Sequence, residues 1–238
     1  VIDVKIELWP SIDYIREDQL DGKTVVVIDV LRATSVITTA VKNGAKEVVV
    51  VVETDEALKL KGENTLLGGE RKGLKIEGFD LSNSPLEYKR EVVEGKRIVM
   101  TTSNGTKAIN KSLKASNIYI GSMLNGKAVA KAAAEDDRDI VIVCSGTAGK
   151  FSLDDFICAG KIIYDIMSYG EFKMDDFASV AYMAYRDNKK NIISYVSMAS
   201  HYNYLLSIGY EEDVKYCFTE DLTSVVPYYS GGSIKAII

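Results

Sequence analysis

The chain has 238 residues, 47% of them apolar and 26% charged, with a formal net charge of −5. A folded chain of this mass exposes about 10,600 Å², against about 38,000 Å² when extended, so about 70% of its surface can enter a core without disulfides. High apolar content at low net charge excludes a disordered chain, three prolines and eighteen glycines exclude a collagen-like or linker sequence, and no apolar run approaches the about 18 residues of a membrane span.

Short β-branched runs closed by turn residues predict strands over 4–8, 24–30, 47–52, 65–68, 97–101, 117–120 and 139–144. Helical periodicity falls between most of them, over 33–43, 55–61, 85–93, 106–112 and 126–134. The stretch 1–10 carries acids and no basic start, so it does not have the form of a signal peptide. Ser84, Pro85 and Glu87 have the spacing of a capping box, with Pro at the first helical position, and Ser152 with Asp155 has the same spacing. Beyond residue 152 helices are expected over 153–168, 175–185, 190–199 and 202–207, then strands over 214–218 and 225–229. Strands alternating with helices, each strand a continuous apolar run, imply a sheet covered on both faces. The expected fold is therefore a three-layer α/β/α arrangement on a mainly parallel or mixed sheet with extra C-terminal helices. It forms one domain over 1–238, with 152–210 either a cap on the sheet or a helical subdomain.

Cys144, Cys158 and Cys217 are odd in number and lack metal-ligand spacing, which suits a reducing cytoplasm. His201 is the single histidine, which argues against histidine-built zinc sites and most Ser–His chemistry. It lies in a tyrosine-rich helical stretch and is taken as a packing or solvent-facing residue. The tyrosines themselves, Tyr182, Tyr185, Tyr195, Tyr202 and Tyr204, suit either a core or a homodimer interface. The 29 basic and 34 acidic residues are interspersed, without the basic excess of a nucleic-acid-binding protein.

Parallel sheets bind ligands beyond the carboxyl ends of their strands, and four ends here carry more than turn residues. They are Asp29 to Ser35, Gly68 to Gly73, Thr101 to Thr106, and Cys144 to Lys150. Each has an ordinary explanation: Asp29 as a helix-start acid, Glu70 and Arg71 as a solvated pair, the Thr/Ser/Asn/Gly run as turn chemistry. Their joint occurrence favours anion binding assisted by a hard cation. Glycine-rich turns and helix starts offer N–H groups to phosphate oxygens, arginine forks add bidentate contacts, and carboxylates without histidine suit Mg²⁺. Known phosphate motifs fail by position. Gly149-Lys150 is followed by Phe151 rather than Ser or Thr, so it is not a Walker A loop. Cys144 is followed six places on by Lys150 where a cysteine phosphatase loop has Arg. Asp29 is followed two places on by Leu31 where a haloacid-dehalogenase-type phosphatase has a second Asp.

Five ordered blocks carry a closer resemblance: Val27 to Ser35, Leu67 to Arg71, Gly78 to Pro85, Thr101 to Thr106, and Gly149 to Asp155. Together they resemble the ComB family of magnesium-dependent 2-phosphosulfolactate phosphatases, over about residues 3–235. Ser82, Ser103 and Ser145 stand where that family is expected to have Gly, Thr and Ala. The resemblance implies hydrolysis of 2-phospho-3-sulfolactate to 3-sulfolactate and phosphate, a step towards coenzyme M, with a small anionic phosphate ester as the ligand. Mg²⁺ is expected on Asp29, Glu70 and Asp155, with Asp154 in reserve, and Asp29, Arg32, Glu70 and Asp155 are the expected catalytic group. The expected substrate contacts are Arg32, Ser35, Arg71, Thr102, Asn104, Gly105, Thr106, Ser145, Gly146, Gly149 and Lys150. The nucleophile is open between a metal-activated water and the side chain of Asp29 or Cys144. A non-catalytic organophosphate or sulfonate receptor, or a phosphatase of a related phosphorylated hydroxy acid, is the rival reading.

Overall fold

The computed structural model describes residues 4–237; the first three residues of the N-terminal stretch and the last residue of the chain lie outside it. The strands are β1 (Lys5–Trp9), β2 (Thr24–Ile28), β3 (Glu47–Val50), β4 (Thr65–Arg71), β5 (Leu74–Lys75), β6 (Arg97–Thr101), β7 (Asn117–Gly121), β8 (Ile140–Cys144), β9 (Lys173–Met174), β10 (Pro227–Ser230) and β11 (Ser233–Ala236). They form one sheet in the order β5-β4-β6-β3-β11-β10-β7-β2-β8-β1-β9. Two parallel blocks, β4-β6-β3 and β7-β2-β8-β1-β9, are joined through the antiparallel hairpin β10–β11. The sheet is thus mixed, and β2, β3, β6 and β8 are interior strands.

The helices are α1 (Ala33–Lys42), α2 (Thr54–Lys59), α3 (Arg90–Val93), α4 (Gly105–Lys111), α5 (Gly126–Glu135), α6 (Leu153–Ile166), α7 (Asp176–Asn188), α8 (Ile192–Val196), α9 (Ser200–Ser207) and α10 (Glu211–Cys217). They lie on both faces of the sheet, giving the three-layer arrangement. The period-2 pleat, with both faces covered, explains why β2 is apolar from Val25 to Ile28. Val25 and Val27 enter one core with Val36, Ile37 and Ile109, while Val26 and Ile28 enter the other with Ile157, Ile162 and Val129.

Five expectations are corrected. Residues 214–218 are helical, not a strand: Val214, Cys217 and Phe218 are buried at helical spacing, and Glu211, Glu212 and Asp213 fill the first turn of α10, where the helix dipole favours acids. Residues 85–93 form a 3-10 turn (Pro85–Glu87) and the single-turn α3. The Ser84 capping box does not form, because Ser84 Oγ donates to Asp213 and Glu87 accepts from Ser82. Ser152 begins α6 without capping it, its hydroxyl donating to Asp154 Oδ1 at 2.6 Å. The stretch 190–199 is a 3-10 turn followed by the short α8. The sequence reading also missed β11. The Gly231-Gly232 pair, both at positive φ, is the two-residue turn that a right-twisted hairpin favours.

Candidate active site

The carboxyl ends of β2, β4, β6 and β8 and the helix α9 surround one cavity of about 760 Å³. At the end of β2 the chain turns at Asp29. The Asp29 N–H donates to Thr34 Oγ1, and Ser35 Oγ donates to the Val30 carbonyl, so both hydroxyls hold the turn. Ser35 therefore faces the backbone and is not on the cavity wall. Asp29 is on the wall, 8% exposed, with one long bond from the Ala33 N–H at 3.4 Å.

At the end of β4, a side chain on Gly69 would collide with the Thr101 carbonyl, so glycine there lets β4 press against β6. Glu70 lines the cavity with its carboxylate already bonded, accepting from Gly73 N–H (2.7 Å), Ser103 N–H (2.6 Å) and Ser103 Oγ (3.2 Å). Arg71 turns away. It binds the Glu70 and Val52 carbonyls and Thr101 Oγ1 beside a separate hollow of about 160 Å³.

At the end of β6, Ser103 and Asn104 face the cavity. Thr102 and Thr106 bond to each other's backbone N–H and are buried. Gly105 makes a close approach possible: a Cβ there would stand 2.7 Å from Asp29 Oδ2. After β8, Gly146 and Gly149, both at positive φ, bend a loop along the wall that the Asn104 side chain ties down through the Ala148 N–H. Ser145 is buried behind that loop, donating to Asp155, and Lys150 is exposed and off the cavity wall. Asp155 is 2% exposed and gathers Val30 N–H, Gly146 N–H and Ser145 Oγ. Cys144 is wholly buried in the core and off the cavity wall, its thiol pushed well up by burial and then by Asp155.

Arg32 touches the cavity, yet its guanidinium is 1% exposed and committed to the protein. Nη1 donates to Asp213 Oδ2 at 2.6 Å, Nη2 donates to the Gly73 carbonyl at 2.8 Å, and the Tyr210 ring lies 3.8 Å from its centre. Asp29, Glu70, Asp154 and Asp155 do share one cavity, as the sequence implied. Among the described residues, however, no three His, Cys, Asp or Glu side chains stand close enough to hold one ion. Of these four, Glu70 and Asp155 are filled by N–H and O–H donors, whereas Asp29 has only the long Ala33 bond and Asp154 accepts from the Ser152 hydroxyl.

Burial dominates the electrostatics. It pushes Asp29 up to about 6; His201 opposes the rise, while Glu70 and Asp154 add to it. Burial likewise raises Asp154, against His201 and the Ser152 hydroxyl, and raises Asp155, which also feels Asp154 and Asp29. Lys72 and Lys107 add positive charge to the wall.

His201, expected to pack or face solvent, is half-buried and stacks on Tyr204. It lies on the cavity wall, and its Nε2 stands 2.8 Å from the Leu31 carbonyl. A carbonyl only accepts, so Nε2 carries the proton. Asp13, Lys72, Asn83, Lys107 and Tyr204 are further wall residues that sequence reasoning did not select. Lys72 and Asn83 sit inside or beside quoted blocks and were within reach of a wider window. His201 had no local signal.

The family model for 2-phosphosulpholactate phosphatase matches residues 10–232. The chain belongs to this family. The probable 2-phosphosulfolactate phosphatase of Clostridium perfringens (strain SM101 / Type A) is 50% identical over 240 residues, covering 98% of this chain and 97% of the relative. That of Clostridium acetobutylicum is 50% identical over 235 residues, covering 97% and 100%. Within this 2-phosphosulpholactate phosphatase family member, the quoted blocks at the ends of β2, β4, β6 and β8 all reach the cavity. No helix among the described residues is long and apolar enough to cross a membrane.

Proposed function

We propose that the protein is a Mg²⁺-dependent phosphatase that hydrolyses 2-phospho-3-sulfolactate to 3-sulfolactate and phosphate, the type of step used towards coenzyme M. The observation that carries the reading is one cavity combining five carboxylates, a glycine loop, two lysines and the only histidine of a chain from this family. Five acids would repel an anionic ester unless a cation intervened. Mg²⁺ needs only one or two carboxylates, with water and phosphate oxygens completing its shell, and Asp29 with Asp154 fit that role. The cation, when bound, supplies charge neutralisation at the phosphoryl oxygens.

The remaining work falls to the chain. Glu70 and Asp155 brace the Ser103 turn and the Gly146 loop by accepting their N–H groups, which holds the cavity wall in place around the substrate. Lys72 and Lys107 attract the acid groups of the substrate. With Nε2–H spent on Leu31, Nδ1 of His201 is the ring nitrogen left to hand a proton to the departing alkoxide oxygen. His201→Gln is expected to lower kcat by about 10²–10⁴ while the melting temperature stays put; unchanged kcat removes His201 from the reaction. Three buried free cysteines agree with a reducing, cytoplasmic setting.

The test is phosphate release from 2-phosphosulfolactate and from other phosphorylated hydroxy acids, with Mg²⁺ and with EDTA. Mg²⁺-dependent release from the sulfonated ester is the expected outcome. Release only from another ester keeps the chemistry and discards the substrate, and tight binding without release from any of them means a receptor.

A further inference from the structure

Arg71 stands apart from the other arginines. Among the described residues Arg32, Arg90, Arg97 and Arg186 each lie within ion-pair distance of a carboxylate, and Arg16 and Arg138 are exposed to water. Arg71 is half-buried, and no described carboxylate pairs with it. Three neutral oxygens hold its guanidinium instead. Nη1 donates to the Glu70 carbonyl at 2.9 Å, and Nη2 donates to the Val52 carbonyl and to Thr101 Oγ1, both at 3.0 Å. Three of the five N–H groups are spent, and the positive charge keeps no counter-charge. The acceptors fix the group in place without neutralising it. A guanidinium partly withdrawn from water gains most from an oxyanion, through charge-assisted hydrogen bonds.

The hollow of about 160 Å³ beside Arg71 reverses the charge balance of the main cavity. Five carboxylates line the cavity, whereas the hollow has two cations, Arg71 and Lys107, and one acid, Glu53. Glu53 is exposed and joins Glu56 in the capping box that starts α2, so its charge is engaged at that helix start. Ser103 and Lys107 belong to both linings, so the hollow adjoins the cavity at the carboxyl ends of β4 and β6. Ser103 gives its N–H and its hydroxyl to Glu70, which leaves Arg71 and Lys107 as the donors. We propose that this hollow is an oxyanion subsite in which Arg71 and Lys107 bind a sulfonate, carboxylate or phosphate group. That group comes either from an ester seated in the adjoining cavity or from a free oxyanion such as released phosphate. Assigning it to the ester rests on the phosphatase reading; the subsite itself does not.

The experiment is calorimetric titration of wild type, Arg71→Gln and Lys107→Met with sodium sulfate in EDTA, in parallel with phosphate release from 2-phosphosulfolactate in Mg²⁺. Without a cation the cavity carboxylates repel anions, so sulfate reports the hollow. Both variants are expected to bind sulfate about 10- to 100-fold more weakly, the scale of a charged hydrogen bond. Lys107 is exposed on α4, so Lys107→Met keeps the test open where Arg71→Gln lowers the melting temperature. Competitive inhibition of the wild type by sulfate, with KM for the ester raised by a similar factor in Arg71→Gln, assigns the subsite to the ester. Non-competitive inhibition that Arg71→Gln relieves assigns it to a free oxyanion. Sulfate bound by none of the proteins, or bound by either folded variant as tightly as by wild type, overturns the proposal. Arg71-dependent sulfate binding by a protein that releases phosphate from no ester would overturn the phosphatase reading and leave the oxyanion subsite standing.

Discussion

Asp29→Asn is expected to abolish turnover and to make the protein more stable. The carboxyl is held at about 6 by burial, with Glu70 and Asp154 adding to it. An ordinary aspartate titrates near 4. Between these values the folded protein binds a proton that the unfolded chain has released, so stability falls as pH rises through this window and stays low above it. Two pKa units correspond to about 3 kcal/mol. Asn keeps the shape and removes the charge, so in EDTA its advantage should be near zero at pH 4 and about 2–3 kcal/mol at pH 8. Urea titrations at the two pH values measure this. Over the same change kcat/KM should drop at least about 10³-fold, the scale of losing a group that acts on transition-state charge. A variant that is active, or whose stability gain does not depend on pH, would remove Asp29 from the centre of the site.

Asp213→Leu is expected to be the most destabilising single change near the cavity, by about 3–5 kcal/mol, because it strands the charge of a buried arginine. Arg32 would keep only the Gly73 carbonyl and the Tyr210 ring, and Ser84 Oγ would lose its acceptor. Replacing both partners, as Arg32→Met with Asp213→Leu, should recover most of the loss, since an apolar pair of similar volume has no desolvation penalty. Arg32→Lys keeps the charge but not the planar fork, and should lose about 1.5–3 kcal/mol. Denaturant midpoints of wild type, Arg32→Met, Asp213→Leu and the double variant form a double-mutant cycle. Additive losses would mean that the pair contributes nothing as a pair.

Arg32 shows where local reading stopped. Its place after a strand-end aspartate suggested a phosphate fork. The group that engages it, Asp213, is 181 residues away on α10, in a stretch whose apolar residues read as a strand. Glu70 and Asp155 were selected as metal ligands from their types and positions, and the folded chain surrounds both with N–H donors. Arg71, Ser35, Thr102 and Thr106 were selected in the same way, and all four spend polar atoms on the backbone, Arg71 on the Thr101 hydroxyl as well.

The sequence alone determined the parallel strands, the helices between them, and the four strand ends that reach the cavity. Those features arise from period-2 and period-3.6 burial and from turn chemistry within a few residues. The tertiary structure decided which polar groups are still free. A hydrogen bond is satisfied by whatever lies within about 3 Å, and for these side chains that partner comes from distant chain. His201 on α9, Asp213 on α10 and the β10–β11 hairpin between the two parallel blocks all come from the C-terminal third of the sequence. Their positions depend on how that segment packs back onto the sheet, and no local pattern encodes that packing.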